Sequence, residues 1–350
     1  MTTHYWYHLI AFVVAALVVL WATPRVKKFG LKRGLVDRPG GRKIHNRPMV
    51  RLGGVAIFMG TIAALLIVWW TGGFGIQTPQ KEYELWGVVF GGLAFFLIGL
   101  ADDLLTLPAL TRLFAQLLVA TAVWQAGVQI DFLTVPGIGL VPLQDWISLP
   151  ITVIWLVGMA NAINMIDGLD GLAAGVSGIA AAVMLVVTLF MNQPAAALIA
   201  AALSGACFGF LRYNFNPAQI FMGDGGAYFM GFILAGVGII GLVKSVTTVA
   251  VLLPYLILAV PILDIFTVVV DRLRRGKSPF AADKRHLHHR LLQAGLSQRL
   301  AVLFIYSLTL WAGTLALAIS NMPSGWGYAI AATVLLSFTG WQVWKTAKQS

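Results

Sequence analysis

The sequence predicts a single all-α domain over residues 1–350, a polytopic membrane bundle of about eleven transmembrane helices, and three observations predict it. Hydrophobic residues fill 59% of positions and charged ones only 11%, against roughly 25% charged usage in soluble domains. Apolar stretches near the ~20 residues needed to cross a bilayer recur along the chain; mean hydropathy is +0.85. Lys and Arg are also strongly segregated: 22 of 24 fall on one side of the membrane once the stretches are threaded alternately.

The expected spans are 5–23, 53–71, 85–101, 112–128, 146–163, 172–191, 194–211, 227–243, 247–270, 300–319 and 325–344. The first has only His4 and His8 ahead of it and Arg25, Lys27 and Lys28 after it, so it reads as an uncleaved helix with its N-terminus outside. Gly87/Gly91 in the third span and Gly205/Gly209 in the seventh offer close helix packing. Residues 129–143 alternate loosely around Pro136-Gly137 and predict a short external hairpin. Gly236, Gly238 and Gly241 match a dinucleotide fingerprint by letter, but they sit inside an apolar span with no strand before them and read as helix packing. Eleven is odd, so the C-terminus is expected in the cytoplasm.

That threading places loops 24–52, 102–111, 164–171, 212–226 and 271–299 and the C-terminal tail in the cytoplasm, with only Lys81 and Lys244 among the cations outside. The net charge of +11 then follows from topology and attraction to anionic lipid, and no nucleic acid is needed to explain it. Of the 13 acids, Glu82, Glu84, Asp131 and Asp145 are external and the other nine are cytoplasmic. Cys207 is the only cysteine and lies in an apolar segment, which excludes a disulfide framework and a thiolate zinc site.

Five segments carry chemistry. Asp102-Asp103 closes the third span where a basic flank is usual, and two adjacent carboxylates stay ionised only beside cations. Asn161–Leu172, NAINMIDGLDGL, follows an apolar stretch with Asn and Asp at three-residue steps; Asn164 and Asp167 share a helical face, and Gly168 and Gly171 can turn Asp170 back toward them. Asp224 sits among glycines at the start of a helix, as a cap, an ion ligand or both. Mg²⁺ typically takes one or two carboxylates plus substrate phosphates, so one Asp with an amide oxygen suffices. His286, His288, His289 and Arg290 belong to a dense cationic stretch that suits anions better than zinc; Lys43, His45, Arg47 and Arg51 add a second cationic wall. Acids for a divalent ion, cations for phosphate and a neighbouring apolar bundle are what phosphoryl transfer at a lipid boundary requires. No Walker A sequence is present.

RKIHNRPMVRLGG, Asp102-Asp103, NAINMIDGLDGL, YNFNPAQIFMGD and SPFAADKRHLHHR, in this order and across nearly the whole chain, resemble the polyprenyl-phosphate N-acetylhexosamine-1-phosphate transferase family. The resemblance implies transfer of a sugar 1-phosphate from a UDP-amino sugar to undecaprenyl phosphate, with release of UMP and a requirement for Mg²⁺, with Mn²⁺ as a substitute. HLHHR and PMVRLGG resemble the WecA/TagO branch, which uses UDP-GlcNAc, more than the MraY branch, which takes UDP-MurNAc-pentapeptide. By the same resemblance Asp102 and Asp103 are the catalytic pair at the lipid phosphate, Asp224 and Asn164 hold the metal, and Asp167, Asp170 and Asn214 contact the nucleoside or donor. Lys43, His45, His286, His288, His289 and Arg290 lie near the diphosphate. The implied setting is the bacterial plasma membrane with the site facing the cytoplasm; a homodimer is left open. The alternatives are an MraY-type transferase and a cation- or proton-coupled secondary transporter. For the latter Asp264, in the ninth span after Pro254 and Pro261, is the diagnostic residue. It faces either the common cavity or a structural ion pair.

Overall fold

The computed structural model describes residues 5–37, 48–74, 79–135, 139–243, 248–276 and 286–349. Its helices are α1 (Tyr5–Arg33), α2 (Gly53–Trp70), α3 (Pro79–Leu105), α4 (Ala109–Gln125), α5 (Asp145–Ile166), α6 (Leu172–Phe190), α7 (Pro194–Asn214) and α8 (Gly223–Gly238). A π-helical turn, Ile239–Val243, extends α8. α9 (Thr248–Ile257), α10 (Ala259–Arg274), the short α11 (Leu287–Gln293), α12 (Gln298–Ile319) and α13 (Gly325–Gln349) complete the bundle.

Every expected span coincides with helix, and eight helices among the described residues are long and apolar enough to cross a membrane: α1, α2, α3, α5, α6, α7, α8 with its extension, and α12. The expected count of eleven meets three departures. α4 has 17 residues, the stretch 247–270 divides at Leu258 into α9 and α10, and α13 is diluted by polar residues such as Gln342, Lys345 and Lys348.

The centre of the bundle is α8. All its residues except Asp224 are buried, as expected for a helix apolar on every side. It packs against α3, α5 and α2 through glycines: side chains at Gly91 and Gly92 would run into Phe232 and Ile233, and one at Gly231 into the Met159 carbonyl, 2.5 Å away. The Gly205/Gly209 pair acts likewise on α7, where a methyl would overlap the Phe12 carbonyl or lie 2.9 Å from that of Ala16 on α1. On α1, Ala11, Ala15, Val19 and Ala22 supply the small complementary face. Gly205→Ala should therefore lower the thermal stability of detergent-purified protein by about 1–3 kcal/mol, because the colliding atom is backbone and cannot swing away; an unchanged melting temperature would refute this packing.

Two short antiparallel pairs complete the architecture. β3 (Phe132–Val135) and β4 (Gly139–Pro142) form the expected hairpin, with Val135 opposite Gly139. β1 (Val36–Asp37) pairs with β2 (Met49–Val50) on either side of residues 38–47. Lys43 and His45 fall in that stretch, outside the described residues. The Gly236–Gly241 pattern lies in helix against Val88, Pro254 and Ala196, as its packing role predicts.

Candidate functional site

One end of the bundle collects the C-terminus of α3, the C-terminus of α5 and the N-termini of α2 and α8. Backbone contacts fix the last two together. Phe221 N–H donates to Val50 O at 2.9 Å, Gly53 N–H to Phe221 O at 2.9 Å and Gly54 N–H to Met222 O at 2.7 Å. A side chain at Gly54 would overlap Gly226 N, and one at Gly99 of α3 would meet the Asp224 carbonyl at 2.5 Å. Glycine at these positions lets three chain segments meet at backbone distance, and it explains why the sequence turns glycine-rich at Leu52–Gly54 and Gly223–Gly226.

The carboxylates are placed by this meeting. Asp103 accepts the N–H groups of Asp224 at 2.9 Å and Gly225 at 3.0 Å, so it caps α8 from another helix. Asp224 itself lies in the first turn, past the N-cap position at Met222, so the capping expected of it falls to Asp103 and its own side chain is left for other partners. Oδ1 lies 3.0 Å from Asn164 Nδ2 and 3.4 Å from Arg51, and Oδ2 lies 3.5 Å from Arg112. Asp102 accepts from Leu107 N at 2.7 Å and pairs closely with Arg112. Arg51 also reaches Asp103 at 3.7 Å.

Asp167, just past the end of α5, feels the same cluster. Burial, reinforced by the negative charge of Asp224, pushes its carboxyl up to about 7. Asp102, Asp103, Asp167 and Asp224 thus share their surroundings with two guanidinium groups, those of Arg51 and Arg112. Four carboxylates against two guanidinium groups leave an excess of negative charge that a divalent cation would neutralise. The donor set is hard oxygen: the Asp224 carboxylate and the Asn164 amide, whose Oδ1 can face a cation if the group turns about its Cγ. Among the described residues no three His, Cys, Asp or Glu side chains form a ready cage, so such an ion would complete its shell with water or substrate oxygen. These residues fit Mg²⁺.

Asp170 and Asn214 are placed differently. The chain does turn at Gly171, where φ is +79°, but Asp170 points to the α7–α8 loop and accepts from Asn216 Nδ2 and Ala218 N, both at 3.0 Å. Asn214 is buried; its Oδ1 accepts from Gly171 N at 3.1 Å and its Nδ2 donates to Ile220 O at 3.0 Å. Tyr306 OH from α12 donates to Gly171 O at 2.5 Å. The two side chains clasp the α5–α6 loop to the loop that leads into Asp224. Asn214→Leu should strand two buried backbone groups at about 1–3 kcal/mol each; unchanged stability to heat would contradict the clasp.

The histidine segment reaches the site from the far side. His288 is 2% exposed and lies against Gly168, where a side chain would collide with its ring. Burial and the neighbouring imidazole of His289 lower its pKa to about 4, so it is neutral near pH 7. The His289 ring lies against it, tilted by 43° with ring centroids 4.2 Å apart. Arg290 lies in the last turn of α11. Asp264 is paired within the protein rather than lining an open cavity: His286 Nδ1 is 2.8 Å from its Oδ2 and Leu287 N–H donates to its Oδ1 at 2.7 Å.

Arg51 stands where the cationic wall of the first loop was expected, beside Asp103 and Asp224, and Arg112 emerges as a site residue beyond the expected set. Arg112 had a signal in the sequence, being the only arginine between Arg51 and Arg212 and standing ten residues after Asp102.

Comparison with known proteins agrees with this geometry. Residues 85–242, which span Asp102 to Asp224, match the profile described as Glycosyl transferase family 4. A Bacillus subtilis protein named probable undecaprenyl-phosphate N-acetylglucosaminyl 1-phosphate transferase is 38% identical over 95% of this chain and 86% of its own length. A Mycolicibacterium smegmatis decaprenyl-phosphate N-acetylglucosaminephosphotransferase is 36% identical over 87% of this chain and 79% of its own. More distant is a phospho-N-acetylmuramoyl-pentapeptide-transferase of Desulforudis audaxviator, 32% identical over 89% and 97%. The chain therefore belongs to glycosyl transferase family 4, among the polyprenyl-phosphate N-acetylhexosamine-1-phosphate transferases.

Proposed function

We propose that the protein transfers N-acetylglucosamine 1-phosphate from UDP-GlcNAc to undecaprenyl phosphate at the cytoplasmic face of a bacterial plasma membrane, releasing UMP. The reading is carried by the cluster of Asp102, Asp103, Asn164, Asp167, Asp224, Arg51 and Arg112 at one end of an apolar bundle. The names of the two most similar relatives cited above favour a GlcNAc donor over a MurNAc-pentapeptide one. The cytoplasmic orientation, the eleven-span topology and the C-terminus inside rest on the segregation of 22 of 24 Lys and Arg residues.

In this mechanism a lipid phosphate oxygen forms a bond to the β-phosphorus of UDP-GlcNAc while the bridging P–O bond to the α-phosphate breaks, and UMP leaves with that bridging oxygen. Arg51 and Arg112 sit at the carboxylate edge, where they can meet an incoming phosphate without leaving the cluster. Asp224 and Asn164 would hold Mg²⁺, which when bound neutralises diphosphate charge and orients it. Asp102 and Asp103 serve placement: every carboxylate oxygen of the pair already accepts a backbone N–H or faces a guanidinium. That engagement favours direct displacement over an aspartyl-phosphate intermediate. A lipid phosphate is largely ionised near neutral pH, so it needs no base to become a nucleophile.

The test mixes purified protein with radiolabelled UDP-GlcNAc, undecaprenyl phosphate and Mg²⁺ and follows label into the organic phase. Transfer that disappears with EDTA and returns with excess Mg²⁺ is expected; no labelled lipid under any of these conditions would overturn the proposal. Exchange of labelled UMP into UDP-GlcNAc without acceptor would overturn the direct route.

A further inference from the structure

Asp264 is a buried carboxylate with no place in the chemistry above. It lies on α10, whose outward residues Leu263 and Phe266 are exposed while Pro261, Asp264, Val268 and Arg272 form a buried line at steps of three and four. That spacing is one helical face. Asp264 is 6% exposed, and a carboxylate so far from water persists only where its lone pairs are met. Both of its oxygens are met by the first two residues of the HLHHR segment. His286 Nδ1 lies 2.8 Å from Oδ2 and Leu287 N–H donates to Oδ1 at 2.7 Å.

A carboxylate that accepts from a backbone N–H on one oxygen and faces an imidazole nitrogen on the other makes a two-point clamp. It fixes where α11 begins and how the His286 ring turns. Because an ionised carboxylate only accepts, Nδ1 carries the proton, and Nε2 has no hydrogen-bond partner among the described residues. The orientation is passed on: the His286 and His288 rings are nearly parallel, 11° apart at 5.8 Å between centroids. His288 in turn rests on Gly168, in the loop that carries Asp167. Asp264 is thus the fixed end of a row of imidazoles that abuts the carboxylate cluster.

We infer that Asp264 is a positioning residue for the transfer reaction: it holds His286 by its Nδ1–H in one orientation, so that Nε2, on taking up a proton, donates to the phosphate oxygens of the nucleotide-sugar donor. The inference rests on the function proposed above and deepens it. A carboxylate behind an imidazole is a common way to fix tautomer and ring direction, and removing such a partner typically costs about 10–100-fold in activity.

The decisive variant is Asp264→Asn. It keeps the size of the side chain and an acceptor for Leu287 N–H, but it sets an amide N–H₂ against Nδ1. Transfer by Asp264→Asn should fall about 10–100-fold in kcat, with KM for UDP-GlcNAc nearly unchanged. His286→Ala should fall at least as far, and Asp264→Asn added to His286→Ala should cost nothing more, because the first acts only through the second. Losses that multiply, or a full kcat in Asp264→Asn, would overturn the inference.

A second arm does not depend on activity. In protein labelled with ¹⁵N-histidine, the His286 signal, identified by its absence from His286→Gln, should report a proton on Nδ1 in the wild type and a shift toward the Nε2–H form in Asp264→Asn. The same tautomer in both samples would overturn the inference. If wild-type protein transfers no sugar phosphate, the proposed function falls, and the tautomer measurement still decides the Asp264–His286 pairing by itself.

Discussion

Asp224→Asn is expected to reduce transfer of labelled sugar phosphate by about 10³-fold while leaving expression and thermal stability close to wild type. The size follows from what the carboxylate meets. Asp224 is the one acid of the cluster approached by Asn164, Arg51 and Arg112 together, at 3.0–3.5 Å, and its backbone, not its side chain, is held by Asp103. Replacing it with Asn leaves the helix start intact and removes a unit of negative charge from the place best suited to a hard cation. Loss of a single preorganised electrostatic partner typically costs about 10²–10³ in kcat, and loss of a metal ligand compounds it. The measurement is initial rate against Mg²⁺ concentration. A variant whose maximal rate matches the wild type would place the metal elsewhere.

That prediction could be framed from the sequence because Asp224 lies in a local signal: an acid amid glycines at a helix start. The features that were legible share this locality. Apolar length located the helices, cation segregation argued for their threading, and glycine pairs on α3 and α7 marked the close contacts the structure contains. Alternation around Pro136-Gly137 gave the β3–β4 pairing.

The remainder depends on partners far apart in the chain. Nothing near Asp103 announces that its acceptors are used by backbone 121 residues later, nor does the run NAINMIDGLDGL tell which of its acids turns outward. Asn164 and Asp167 stay with the cluster, whereas Asp170 goes to Asn216 and Ala218 because the turn at Gly171 is docked by Asn214 and Tyr306. Arg112 was visible as an isolated cation, but its reach to both Asp102 and Asp224 depends on how α4 leaves α3. Prolines within 247–270 hinted at a kink, and the structure turns that hint into two helices. The transporter alternative singled out Asp264 as a lone acid in a span; its pairing with His286 and Leu287 gives it a protein partner on each oxygen.

The adjacent acids Asp102 and Asp103 make the second large prediction, since the structure assigns them unequal tasks. Asp103 holds two of the orphan N–H groups at the start of α8, the central helix buried at every residue but Asp224, and Arg51 approaches the same carboxylate. A side chain at Gly223, where φ is +80°, would meet this carboxylate too, so the helix start has been shaped around it. Asp103→Asn keeps one acceptor and turns an amide N–H₂ against a backbone N–H, which loses part of the cap and repels the rest. Loss of a cap alone is worth about 0.5–2 kcal/mol, and a stranded buried donor adds about 1–3 kcal/mol. Because the displaced backbone belongs to Asp224, activity should fall about 10²-fold, in line with the sensitivity of catalysis to small misplacements, and thermal stability should fall with it. Asp102→Asn loses the Arg112 pair but leaves the start of α8 capped, so it should retain more stability than Asp103→Asn. Parallel melting curves and initial rates for the two variants check the assignment; Asp102→Asn proving the less stable of the two would reverse it, and would make Arg112, not the start of α8, the element on which the cluster is built.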